Sequence, residues 1–456
     1  MSKYNSFLEN KVMPIASKMA GQRHLLALRD GIILTMPLII IGSLFLILGF
    51  IPIPGYNEFM ASIFGDAWMT KLLYPVGATF DVMALIATFG IAYRLAEHYK
   101  VDPLSAGAVA VSAFLVATPY VKMFTPEGAE IAVQVGGVIP VALMGSKGLF
   151  VGILIALFST EIYRKIIQKN IVIKMPDGVP PSVSKSFVAL IPASIVIVSV
   201  WLIRIGIENL HHLNFLEKLG FTGTTSLHDI ITLLLSEPLG VLTGSLIGAI
   251  MYTLIVHLLW VCGLHGSSIL GGVMGPILLT ATDQNRLALQ AGEALPNVVT
   301  QPFFDSIIFM GGAGSTLMFV VMMGLLAKSE HSKQLGKLAI APGLFNINEP
   351  VIFGAPVVMN PLLMIPFVLA PVVLTITTYF MMKSGFIPLT NGTIPPWTTP
   401  PIISGFLATG SWKGAFMQVI NLAIAFAIYF PFFKLWDKTN VQLEKGTENI
   451  NVTKAM

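Results

Sequence analysis

Six stretches of this chain, 31–51, 76–95, 185–207, 240–262, 362–382 and 413–434, are apolar and almost uncharged. Each is about 20 residues long, enough to cross the hydrocarbon core of a bilayer as a helix. Shorter or interrupted apolar runs at 103–119, 148–167, 266–281 and 310–327 bring the expectation to about ten spans. Charged residues make up only 11% of the 456, against roughly 25% in soluble domains. The reading is an all-α polytopic membrane protein in contact with the lipid bilayer. Its net charge of +4 does not point to nucleic acid, because the basic residues collect at the ends of apolar runs, as they do in membrane proteins.

Lys3, Lys11, Lys18, Arg23 and Arg29, the basic stretch 164–174 and the tail from Lys434 to Lys454 predict cytoplasmic faces. Both termini then lie inside, which agrees with an even number of spans. The first long run exceeds the apolar core of a cleavable signal peptide. Phe7, Leu8, Val12, Ile15 and Met19 recur near helical spacing, predicting an interfacial amphipathic helix over 4–20. Stretch 209–239 mixes His211, His212, Glu217, Lys218, His228 and Asp229 with leucines and reads as a second interfacial helix. The expected organisation is an arm at 1–30, a scaffold at 31–210, an amphipathic linker at 211–239, a transport body at 240–434 and a tail at 435–456. Gly240, Gly244 and Gly248, and Gly271 with Gly275, have the four-residue spacing of close helix packing. No phosphate-binding loop sequence occurs, so ATP is not expected to drive the chain. The single Cys262 permits no internal disulfide.

Glu349 is the costly residue. It lies in 339–356, an apolar stretch broken by Pro342, Gly343, Pro350, Gly354 and Pro356. These prolines and glycines oppose one continuous helix. Broken backbone at membrane depth must be buried in protein or line a wet cavity, and an ionisable group there is a functional-site hypothesis by default. Asn346 and Asn348 add hydrogen-bonding capacity to the same turn. Stretches 336–357 and 385–406 are expected to dip into the membrane as re-entrant hairpins.

His265, between Gly263-Leu264 and Gly266, can exchange a proton near neutral pH or simply hydrogen-bond at the interface. With Glu349 it forms a candidate acid–base pair for one hydroxyl. Trp260 and Trp397 offer flat faces suited to a sugar ring, with the interfacial aromatic belt as the plainer alternative for Trp260. Lys147, in Gly145-Ser146-Lys147-Gly148, either hydrogen-bonds a substrate or snorkels to the interface. No metal-ligand spacing stands near these residues, so no metal and no cofactor is expected.

The entry Phe7-Leu8-Glu9-Asn10-Lys11-Val12-Met13-Pro14, the segment Leu28-Arg29-Asp30-Gly31, Gly263-Leu264-His265-Gly266 and Asn346-Ile347-Asn348-Glu349-Pro350 carry a resemblance over nearly the whole chain. The sequence resembles the membrane-embedded IIC permease of bacterial phosphoenolpyruvate-dependent sugar phosphotransferase systems, in particular the lactose/cellobiose/diacetylchitobiose family. The resemblance implies a homodimer in the bacterial cell membrane, joined through its N-terminal half. It implies a β-linked disaccharide as substrate, with the residues matching His265 and Glu349 at the sugar 6-hydroxyl, and a cytoplasmic IIB protein whose phosphocysteine supplies the phosphate. The short tail leaves no room for a fused IIB domain, so the donor is expected on a separate chain and a cellobiose-like or diacetylchitobiose-like substrate is favoured. Whether such a chain counts as an enzyme stays open. Two other readings remain: a proton-coupled secondary sugar transporter, and an intramembrane hydrolase using Glu349 and His265.

Overall fold

The structure is a computed structural model that describes residues 21–51, 53–125, 131–176, 178–212, 226–355, 357–358 and 360–455. The expected amphipathic helix over 4–20 and residues 213–225 of the expected linker lie outside these residues.

Helices α1 (Arg23–Ile33) and α2 (Met36–Gly49) together form the first apolar rod. Gln22 caps α1 by accepting the Leu25 N–H at 2.7 Å, which satisfies an end that has no intrahelical partner. Helices α3 (Tyr74–Phe80) and α4 (Met83–Tyr99) make the second rod, interrupted at Asp81. Gly31 is needed where α1 crosses α4: a Cβ there would lie 2.4 Å from the Ile91 backbone nitrogen. Helix α5 (Pro103–Ala117) starts on Asp102, whose carboxylate accepts the Ser105 N–H. An antiparallel pair, β1 (Val121–Phe124) and β2 (Val133–Gly136), then departs from the all-helical expectation. Helices α6 (Leu149–Gln168) and α7 (Pro181–His212) complete the first half.

The second half opens with α8 (Leu246–Val261) and α9 (Gly266–Ala291). The expected span 240–262 is broken at Ser245, where the preceding helical stretch meets α8 at 81°. Ser245 is extended and accepts the Gly248 N–H, so it starts a new helix in place of continuing the old one. After a buried π turn, Phe303–Ile308, come α10 (Leu317–Leu326), α11 (Glu330–Leu344), α12 (Glu349–Gly354), α13 (Pro361–Lys383), α14 (Ile403–Thr409) and α15 (Trp412–Ala455).

Among the described residues five helices are long and apolar enough to cross a membrane, and a sixth if the pair bent at Ser245 counts as one. The sequence count of about ten is not met by such helices. Glu161, Arg164 and Lys165 crowd the end of α6, for example, and α5 and α10 are short. The four-residue glycine pattern also misleads. Gly240, Gly244, Gly271 and Gly275 have no described atom within 4 Å of an added Cβ, whereas Gly336 would press its Cβ to 2.4 Å from the Gly324 nitrogen.

Among the described residues, buried apolar side chains fall into two clusters. One is drawn from residues 28–200 with Leu279 and Ile394 added, the other from 249–436. Burial of this kind contributes roughly 25 cal/mol per Å² of apolar area removed from water, a gain confined in a lipid-facing protein to surfaces that leave water. Helix α9 joins the two bodies. Its Arg286, 1% exposed, donates to Asp81 at the break in the second rod and to Asp283 at 2.6 Å, while Asp283 accepts from Ser146.

Candidate functional site

Two helix corners build the site. At the first, α8 ends in a Schellman motif: Gly263 takes φ +78°, its N–H reaches the Trp260 carbonyl, and the Leu264 N–H reaches Leu259. Two residues later His265 starts α9, its ring nitrogen Nδ1 accepting the Ser268 N–H at 3.2 Å. Gly266 has no room for a side chain, since a Cβ would lie 2.0 Å from the Val256 carbonyl oxygen. Gly263-Leu264-His265-Gly266 is therefore a tight helix–turn–helix corner that leaves the imidazole exposed.

At the second corner α11 ends in the same motif. Asn346 takes the left-handed conformation, φ +62°, and the Asn346 and Ile347 N–H groups bond the Gly343 and Pro342 carbonyls. Asparagine tolerates that conformation better than most side chains. Its own side chain accepts the Gly311 N–H at 2.7 Å and donates to the Trp397 and Thr399 carbonyls at 2.6 and 3.1 Å. Asn348, 3% exposed, donates to the Ala313 carbonyl and the Thr316 hydroxyl. Gly312 lies beneath it at φ +86°, where a Cβ would stand 2.6 Å from the Asn348 amide carbon.

Both asparagines thus spend their amide hydrogens on the protein, clamping the 346–349 turn onto loop 311–316 and onto the segment carrying Trp397. The next residue, Glu349, opens α12 with an exposed carboxylate that has no hydrogen-bond partner among the described residues.

The Glu349 carboxylate and the Arg29 guanidinium from α1 both lie within electrostatic reach of the His265 ring. Trp260 is 5% exposed, and its ring lies 4.3 Å from that of His265, inclined at 46°. The Trp260 face is occupied by the imidazole, and its indole N–H is buried with no hydrogen-bond partner among the described residues. Trp397 is 53% exposed and remains open for stacking. Lys147 is set apart. It lies in the turn Ser146–Gly148 and lines a cavity of about 1060 Å³ together with His228, Glu237, Gln284 and Asn297. None of the other six sequence-predicted site residues lines that cavity.

Sequence reasoning did not single out loop 311–316, although Gly311, Gly312 and Gly314 within four positions signal unusual backbone. Arg29 entered there as a basic residue of the cytoplasmic face and as part of a motif, not as a site residue, because the α1–α9 contact is tertiary.

Helices long and apolar enough to cross a membrane, with a carboxylate in electrostatic reach of an imidazole and an open indole nearby in the chain's second half, fit a membrane protein with a polar site. A family model described as Phosphotransferase system, EIIC matches residues 29–371. The lichenan permease IIC component of Bacillus subtilis (strain 168) is 56% identical over 456 residues, covering 100% of this chain and 98% of the relative. The cellobiose-specific EIIC component of Geobacillus stearothermophilus is 57% identical over 454 residues, covering 99% and 98%. The crystal structure of the transporter ChbC, the IIC component from the N,N'-diacetylchitobiose-specific phosphotransferase system, superposes with a TM-score of 0.91 at 54% identity, covering 96% of this chain and 99% of that one. The chain belongs to the EIIC family of the phosphotransferase system.

Proposed function

We propose that this chain is the permease that takes up a β-linked disaccharide of the cellobiose or diacetylchitobiose type and presents its 6-hydroxyl for phosphorylation by a separate phospho-IIB protein. Relatives with cellobiose, lichenan and diacetylchitobiose in their names support the substrate class. The observation that carries the reading is the Glu349 carboxylate within electrostatic reach of His265, on a turn that Asn346 ties to the segment carrying the exposed Trp397 indole.

The roles of the pair differ. His265 Nδ1 accepts a backbone N–H, so the neutral ring carries its proton on Nε2. It therefore donates a hydrogen bond to the sugar oxygen, and Glu349 accepts the hydroxyl proton. Trp397 stacks on a sugar ring. Trp260 holds the imidazole in place, and the two asparagines position Glu349 and Trp397 without spending hydrogen bonds on the sugar. Lys147 belongs to the separate polar cavity and would meet sugar there, on the way in or out. The apolar cluster of residues 28–200 acts as a membrane-anchored, dimerising scaffold, with the later cluster as the moving body. About ten membrane passages, both termini cytoplasmic and a plasma-membrane location complete the proposal.

The test uses Glu349→Gln and His265→Ala in vesicles supplied with the phosphorylated partner. Loss of general base or proton donor should slow sugar phosphorylation about 10²- to 10⁴-fold. Wild-type rates in both variants would overturn the site assignment.

A further inference from the structure

We propose that Arg29, on the scaffold helix α1, is a phosphoryl-binding residue: its guanidinium holds the non-bridging oxygens of the phosphoryl group while that group passes to the sugar held at Glu349 and His265. The inference rests on the phosphotransfer reading above and adds a cation that the reading lacks.

The placement comes from helix packing. Helix α1 lies against the first two turns of α9, where Gly272 leaves no space: a Cβ there would stand 3.1 Å from the Leu25 carbonyl oxygen and 3.7 Å from Arg29 Cβ. Gly272 is six residues from the start of α9 at Gly266, about 9 Å of helical rise. The guanidinium acts electrostatically on the His265 ring at that end. Its Nε is held by Asp30 at 2.7 Å, and the terminal nitrogens Nη1 and Nη2 have no partner among the described residues. The pair is about 30% exposed on each side, and a solvent-exposed pair contributes little to stability. Asp30 thus orients the fork and leaves its two free nitrogens to meet an anion, as bidentate arginine–phosphate contacts do.

The chemistry calls for such a group. A lone pair of the sugar oxygen forms the new O–P bond, the S–P bond of the donor phosphocysteine breaks, and its electron pair leaves with the thiolate. The hydroxyl proton goes to Glu349. The three equatorial phosphoryl oxygens keep their charge throughout, and Glu349 adds a further negative charge close by. Phosphoryl transfer depends largely on positioning and electrostatic stabilisation of those oxygens. Neither neutral His265 nor Glu349 supplies a cation; Arg29 does. Because Arg29 belongs to the scaffold and His265 to the later body, the complete set exists only when the two are docked as seen here. That makes transfer conditional on the arrangement of the two bodies.

The experiment uses the full-length chain in lipid vesicles, cellobiose as probe and the phosphorylated IIB-type partner. Equilibrium binding and single-turnover phosphoryl transfer are read for Arg29→Gln, Arg29→Lys and Glu349→Gln. Arg29→Gln should leave cellobiose affinity within about threefold and slow transfer about 10²- to 10³-fold. Arg29→Lys should recover part of the loss. If Arg29→Gln does not fold, the Arg29→Lys variant must still lose about tenfold in transfer with affinity unchanged, the split expected when a point charge replaces a fork. Wild-type transfer in both Arg29 variants, with Glu349→Gln inactive, overturns the assignment of Arg29 alone. A parallel fall of affinity and transfer without recovery by lysine also overturns it, making Arg29 structural. Wild-type transfer in Glu349→Gln would instead sink the underlying reading, and this inference with it.

Discussion

Asn346 commits both of its amide hydrogens to backbone carbonyls, of Trp397 and of Thr399, and takes the Gly311 N–H on its oxygen. One side chain thereby sets both the turn that carries Glu349 and the segment that carries the open indole. Asn348→Ala would remove two buried hydrogen bonds and leave the Ala313 carbonyl without its side-chain donor. A cost of about 1–3 kcal/mol is expected, visible as a lower thermal midpoint of the purified protein. An unchanged midpoint would show that the clamp is not needed. Trp397→Ala should weaken cellobiose binding about tenfold, on the scale of ~1–3 kcal/mol per aromatic stacking contact, and change transfer at saturating sugar far less; isothermal titration beside single-turnover kinetics separates the two. Glu349 could be picked out from sequence because a carboxylate among apolar residues is conspicuous in itself. The asparagines' partners could not, since an amide can serve a ligand or the backbone equally well and only tertiary contact decides. The ring nitrogen that His265 commits was hidden for the same reason: the Ser268 N–H that its Nδ1 accepts is presented by the first turn of the next helix.

Elements end here where their residues dictate. Gly263 and Asn346 both close helices in the left-handed conformation, and Gln22, Asp102, Ser245 and Ser329 start them by accepting backbone N–H groups. Those signals are local, and the broken character of 336–357 followed from them. The β1–β2 pair escaped notice because its strands are four residues long and exposed on both faces, which leaves no burial alternation to read. The glycine repeats misled because four-residue spacing permits close approach without requiring it, whereas the crossings that need glycine involve single positions such as Gly31 and Gly336. Gly312→Ala should be among the most damaging small substitutions. The position needs φ +86° and has Asn348 directly above, so strain of about 1–3 kcal/mol and a displaced clamp are expected together. Thermal unfolding should register the first and reduced phosphorylation the second. A variant with wild-type midpoint and activity would contradict the packing described for loop 311–316.

At the scale of the molecule, the described residues form two apolar bodies joined through α9 and the buried segment after α13. Gly392 packs its backbone on Arg286, where a Cβ would stand 2.4 Å from the arginine Cβ, and the Ile394 N–H donates to the Ser43 hydroxyl of α2. Arg286→Gln would leave Asp81 and Asp283 without their cation. Breaking a buried pair from one side costs about 3–5 kcal/mol, so the thermal midpoint should fall clearly; a midpoint equal to wild type would mean that the bodies do not depend on this bridge. None of it was visible beforehand: Asp81 and Arg286 are 205 residues apart, and nothing in either local pattern names the other. Under the proposed function, sugar enters only to be phosphorylated. That claim is tested most directly by loading vesicles that carry this chain with the phosphorylated IIB-type partner, supplying labelled cellobiose outside and identifying the internal product. Cellobiose phosphate, formed without an ion gradient and abolished by Glu349→Gln, is the predicted result. Free cellobiose accumulating under an imposed pH gradient, with no phosphorylated partner present, would rule out obligatory phosphorylation and point to a proton-coupled transporter.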